Sequence, residues 1–169
     1  MSEELRNLFF AEKMLSGELQ WVDGHRDASQ MLVCPLEIDG VTVEGLRLRA
    51  SVLKFLPDQE LCIQMEFHGR RQKFEPMCRF EWRPLSPHDN KGRGPAEFKF
   101  RKIRGSHIHP FEMNLAESMR STRSRNLRIA IPVAPDPGTF EDALELAGKE
   151  FRISNMRSIP RPLWQAKFI

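Results

Sequence analysis

Apolar and polar residues alternate with a period of two over four stretches of the chain, the pattern of strands that bury one face. From Met31 to Ile38 the apolar phase is Leu32, Cys34, Leu36 and Ile38, and Asp39-Gly40 follows as a two-residue hairpin turn. The return strand runs from Val41 to Val52. Its apolar phase shifts from Val41 and Val43 to Leu46, Leu48 and Ala50 across Gly45, which predicts a bulge at that glycine. Leu61, Ile63, Met65 and Phe67 mark a third strand, and Cys78, Phe80 and Trp82 a fourth. Phe98 and Phe100, between Glu97 and Arg101, place a fifth short strand inside the Pro-, Gly- and charge-rich stretch from Pro84 to Gly105.

Two segments carry helical spacing instead. Ser2 to Leu15 opens on Ser2 and two glutamates and presents Leu5, Leu8, Phe9 and Leu15 before Ser16-Gly17 stops it. Near the other end Thr139 can cap a helix, with Asp142 three residues on and Phe140, Ala143, Leu144, Ala147 and Phe151 along one face. Residues 118–128 are polar and basic without a clean period, and are expected to be mobile. Strands joined by hairpins rather than helical crossovers predict an α+β fold. It has a mainly antiparallel sheet of about five strands, a short N-terminal helix and a C-terminal helix. The expected organisation is a single domain over residues 1–169, with a basic, loop-rich segment at 84–128. Leu36, Ile38, Val43, Leu48, Ile63, Met65, Phe67, Phe80, Phe140 and Leu144 should share its core.

Composition agrees with that picture and narrows the setting. The 169 residues make about one domain, and a hydrophobic fraction of 40% with 12 Phe and 3 Trp is enough for a core, which excludes general disorder. The three cysteines, Cys34, Cys62 and Cys78, form no C-x-x-C pair and fall in strand segments, as reduced buried thiols do. The opening Met-Ser-Glu-Glu-Leu-Arg lacks the basic flank and apolar run of a secretory signal, and no long apolar run suits a membrane span, so a cytoplasmic location is expected. Charge is uneven: residues 70–128 hold 15 Lys and Arg against 6 Asp and Glu. Such a block suits phosphates or an acidic protein partner, or stays solvated on a loop.

The chemistry concentrates in this block. His107 and His109 are two apart in Gly105-Ser106-His107-Ile108-His109, so in an extended chain they point to one side with Ile108 opposite. A hairpin between residues 88 and 107 could return His88 to them. His107 and His109 could then ligate a divalent metal with His88, Asp89 or Glu112 completing the site, since neutral imidazole suits Zn, Fe, Ni and Cu. The order H-x-H-x-x-E is similar to the cupin metal motif, but the spacer is two residues where cupins have three or four, and no histidine follows His109. A metal-free alternative is RNA cleavage through the 2′-hydroxyl, with two histidines as acid and base and an arginine for the phosphorane charge. A third reading makes the histidines structural, as surface pairs or as hydrogen-bonding groups that pin a loop.

From Arg79 to Asn114 the chain reads R-x-x-W-x-P-x-x-x-H-x-N and then G-S-H-x-H-x-x-x-x-N. This resembles an uncharacterised family of small bacterial and mobile-element proteins. The resemblance implies that Trp82, Pro84, His88, Asn90, His107, His109 and Asn114 belong to one site, and implies no activity.

The expected protein binds nucleic acid or another phosphate-bearing ligand through a basic, histidine-containing site, its enzymatic form being a toxin-like or mobile-element nuclease. His88, His107, His109 and Arg104 are the catalytic candidates; Asn90, Asn114, Arg83, Arg101, Lys102, Arg123 and Arg125 are the binding candidates. The cofactor is none or one divalent metal. The alternative is a non-enzymatic interaction module whose basic face meets an acidic protein.

Overall fold

The computed structural model describes residues 2–25, 28–68, 73–120 and 126–165. Its elements are α1 (Ser2–Phe10), β1 (Met14–Leu15), β2 (Val22–Asp23), β3 (Ser29–Ile38), β4 (Val41–Leu53), β5 (Leu61–His68) and β6 (Phe74–Trp82). After these come β7 (His88–Asp89), β8 (Lys102–Ile103), β9 (His107–His109), α2 (Phe111–Arg120), β10 (Ile131–Pro132) and α3 (Phe140–Phe151). One sheet runs in the order β1-β3-β4-β5-β6-β9-β10, with β2 also paired to β3, and every pairing in it is antiparallel. β7 and β8 form a separate two-stranded ribbon. The fold is α+β. The sheet has eight strands rather than about five because β1, β2, β9 and β10 are only two or three residues long, too short to show a period.

The long strands follow their side-chain pattern. β3 and β4 meet at Asp39-Gly40, where both residues have positive φ (52° and 76°), as a type I′ turn requires. The ladder between them slips after Pro35, and the extra residues lie on β4 around Gly45, whose φ is +77°. A Cβ at Gly45 would lie 2.8 Å from that of His68, so glycine alone fits the bulge. Beneath the sheet Leu36, Leu48, Ile63, Met65 and Phe80 pack with Phe140 and Leu144, and Ile38, Val43 and Phe67 cover the margin of that core. α3 begins as expected: Thr139 accepts from the Asp142 backbone and Asp142 returns the bond, a capping box.

Three local expectations are corrected. α1 stops at Phe10, not Leu15: the Lys13 ammonium donates to the carbonyls of Leu8, Phe9 and Ala11 at 3.1, 2.6 and 2.6 Å, ending the helix, and Leu15 joins β1 against Leu36. The strand expected at Glu97 to Arg101 is a series of turns with Phe100 82% exposed; the pairing falls later, at Lys102–Ile103, where Ile103 is buried. Residues 118–120 close α2, a helix with Pro110 just before it and Phe111 buried. The rest of the stretch expected to be mobile includes residues 121–125, which lie outside the described residues.

Candidate metal centre

β6 sends Cys78, Phe80 and Trp82 into the core and leaves Arg79 and Glu81 on the opposite face of the sheet. β9 pairs with it so that Arg79 is opposite His109, Phe80 opposite Ile108 and Glu81 opposite His107. The alternation that buries Ile108 against the core therefore delivers both histidines to the Arg79/Glu81 face, where each is 0% exposed. Burial there comes from β7 and from the segment ahead of β10, which bring His88 over the pair. Ring centroids lie 4.7 Å apart for His88 and His109, 5.2 Å for His107 and His109, and 5.6 Å for His88 and His107. One nitrogen of each lies within 4.8 Å of the others.

Backbone carbonyls set the tautomers. His107 Nδ1 lies 2.9 Å from the Gly105 carbonyl and His88 Nε2 lies 3.0 Å from that of Arg128. A carbonyl only accepts, so these nitrogens carry the protons and the other nitrogen of each neutral ring keeps a lone pair. Metal-binding histidines are oriented in the same way. His107 Nε2 and both ring nitrogens of His109 are buried and have no hydrogen-bond partner.

Glu81 faces these groups: its Oε2 is 3.4 Å from His107 Nε2, and its Oε1 is 3.7 Å from His109 Nε2 and 3.2 Å from Arg79 Nη1. Arg79 is itself fixed by donating Nε to Gln64 Oε1 at 2.9 Å. Burial pushes His109 down to about 4 despite its Glu81 neighbour, and burial likewise lowers His107. Burial also acts to raise Glu81, but His109, His107 and Arg79 outweigh it and hold the carboxyl at about 2. Near neutral pH His107 and His109 are thus neutral and Glu81 is a carboxylate, the forms in which these groups bind metal.

The remaining expected residues lie elsewhere. Among the described residues no hydrogen bond ties Asn90 or Asn114 to the imidazoles. Asn90 holds Ala130 through both its amide groups (3.0 and 2.8 Å), and Asn114 holds Ile129 in the same manner (both 2.9 Å), because buried backbone polar groups outside a ladder need partners. Together they anchor the segment whose Arg128 carbonyl takes His88. Arg83 is directed the other way, to Asp136 at 3.0 Å and the carbonyls of Pro137 and Gly138. Arg104 is exposed and lines a surface depression with Arg83, Ser106 and Asp136; among the described residues no hydrogen bond or ion pair ties it to the histidines. Arg101, just before β8, and Lys102, within it, are exposed, and Arg123 and Arg125 lie outside the described residues. Sequence reasoning missed Glu81 and Arg79 as site residues, since the polar phase of a half-buried strand reads as a solvated face.

Comparisons with family models, curated proteins and solved structures return no significant match to this chain. The reading of the site rests on its own geometry.

Proposed function

We propose that the chain binds one divalent transition-metal ion through His88, His107 and His109 and uses it on a phosphate-bearing ligand, with phosphodiester hydrolysis as the reaction class. The observation that carries the reading is the convergence of three imidazoles, two of which, His107 and His109, have buried ring nitrogens without hydrogen-bond partners. Unpartnered buried polar atoms are costly, and an ion bound by His107 Nε2 and one nitrogen of His109 relieves part of that cost. A bound divalent ion would supply Lewis acidity toward a phosphoryl oxygen. Support for an anionic ligand comes from exposed Arg101, Lys102 and Arg104 in and beside β8, which pairs with the strand carrying His88.

The metal-free acid–base reading fits less well. It needs one imidazolium near neutral pH, and burial keeps His107 and His109 neutral. A second reading, a module that docks an acidic protein, draws on Phe100, 82% exposed next to Lys99 and Arg101. The deciding experiment combines metal analysis of the purified protein with cleavage of a single-stranded oligonucleotide and of an activated phosphodiester, with and without a chelator. About one metal per chain and chelator-sensitive cleavage are expected. A metal-free protein with no such cleavage would overturn the proposal, and tight metal binding without cleavage would favour the docking module.

A further inference from the structure

We infer that Glu81 is the fourth protein ligand of this centre, so that the resting site is a closed set of three imidazoles and one carboxylate. The inference rests on the metal reading above and goes beyond it, because three histidines alone would leave a coordination position to water.

The distances decide between two roles for the carboxylate. If Glu81 were placed to hydrogen-bond the imidazoles, its oxygens would sit roughly 2.7–3.2 Å from their nitrogens. They sit at 3.4 Å from His107 Nε2 and 3.7 Å from His109 Nε2, too far for a good hydrogen bond, and both nitrogens are without one. Around a tetrahedral ion with bonds of about 2.0–2.1 Å, neighbouring ligand atoms are separated by ~3.4 Å. Glu81 Oε2 is therefore spaced from His107 Nε2 as atoms that share an ion are, while Oε1 faces His109 Nε2 at a slightly longer distance. His88 closes the set: its nitrogen and those of His107 and His109 lie within 4.8 Å of one another, and it sits half-buried on the two-residue β7.

The surroundings of Glu81 are those of a ligand held in place. Arg79 Nη1 contacts Oε1, Gln64 fixes Arg79, and Gln64 in turn donates to the buried Glu66, which also receives Arg47 and Arg49 at 2.7 Å each. This network runs across β4, β5 and β6 and ties the carboxylate through Arg79. Arg79 is thus a positioning residue. A closed centre admits a phosphate oxygen only as an added fifth ligand, an expansion available to zinc and cobalt.

The test uses Co2+ alone as probe on the full chain, with the visible spectrum and calorimetry as readouts. Wild type should bind one Co2+, with a spectrum unchanged from pH 6 to pH 9. Glu81→Gln should bind roughly 100-fold more weakly, and its spectrum should titrate near neutral pH because water, with a pKa of about 7 on such an ion, takes the vacated position. Arg79→Gln should weaken binding by about tenfold and leave the spectrum flat with pH, as a positioning role requires. Glu81→Asp, which keeps the carboxylate, guards against misfolding of the glutamine variant and should hold Co2+ more tightly than Glu81→Gln. Equal Co2+ affinity and identical pH-independent spectra in wild type and Glu81→Gln would overturn this inference and leave the three-histidine centre standing. Failure of the wild type to bind Co2+ would overturn both.

Discussion

His109 is the side chain with most at stake in the fold, a fully buried ring with two unpartnered nitrogens that burial holds near a pKa of about 4 against an ordinary 6.5. Between those values the unfolded chain binds the proton more readily than the folded one, so stability falls as pH drops through that window and is fully present above it. In the metal-free protein, urea denaturation at pH 4.5 should show roughly 2 kcal/mol less stability than at pH 7 from this group alone. Glu81, held at about 2, extends the loss below its ordinary 4.5 for the same reason. His109→Leu should flatten most of the slope between pH 7 and 4.5; an unchanged slope would rule His109 out as its source. Asn90 is a different case: it is 0% exposed and spends both amide groups on Ala130. Asn90→Ala leaves a buried N–H and a buried carbonyl unpaired and should cost about 2–4 kcal/mol in chemical denaturation. Metal affinity should fall with it, because the Arg128 carbonyl that fixes His88 lies in the same anchored segment. At this scale the histidine pair was legible, since alternation alone puts His107 and His109 on one side. Asn90 was legible as important but not in its role, because side-chain amides that clamp distant backbone leave no local spacing.

Among the elements, those set by contacts a few residues apart were the ones readable in advance: the Asp39-Gly40 hairpin, the bulge at Gly45 and the capped start of α3. Gly45→Ala should destabilise the protein by about 1–3 kcal/mol, since it forces a Cβ into the left-handed region and 2.8 Å from that of His68. A thermal midpoint equal to wild type would mean the bulge relaxes without strain. On α3, Leu144 is 1% exposed in the core, and Leu144→Ala should cost about 2–5 kcal/mol by denaturant titration. The misplaced elements share one cause. α1 ends where a lysine five residues beyond Leu8 folds back on its carbonyls, and β8 forms where Ile103, not Phe98 or Phe100, finds buried space. Both are tertiary choices that override a local pattern.

Across the whole molecule the basic middle of the chain is partly neutralised by ion pairs, as in Arg79–Glu81, Arg83–Asp136 and Arg93–Glu117, while Arg101, Lys102 and Arg104 remain exposed. If these three meet phosphates, binding of a single-stranded polyanion should weaken with salt, with a log–log slope of about −0.7 per contact. Replacing all three by alanine should reduce that slope by roughly 2, as read by fluorescence anisotropy across a salt series. Binding indifferent to salt would count against phosphate contacts by this face. No helix among the described residues is long and apolar enough to cross a membrane. The sequence by itself determined the α+β class, the long strands β3 to β6, the turn and bulge between them, the cap of α3 and the shared side of His107 and His109. Each of these follows from side-chain period or from turn and cap chemistry within a few residues. Only the tertiary structure decided that β9 docks on β6 in the register that sets Glu81 and Arg79 against the two histidines, and that residues 88 and 128 come together above them. Register and closure are settled by packing over the whole sheet, and the polar phase of a strand carries no local mark of the side chains it will face.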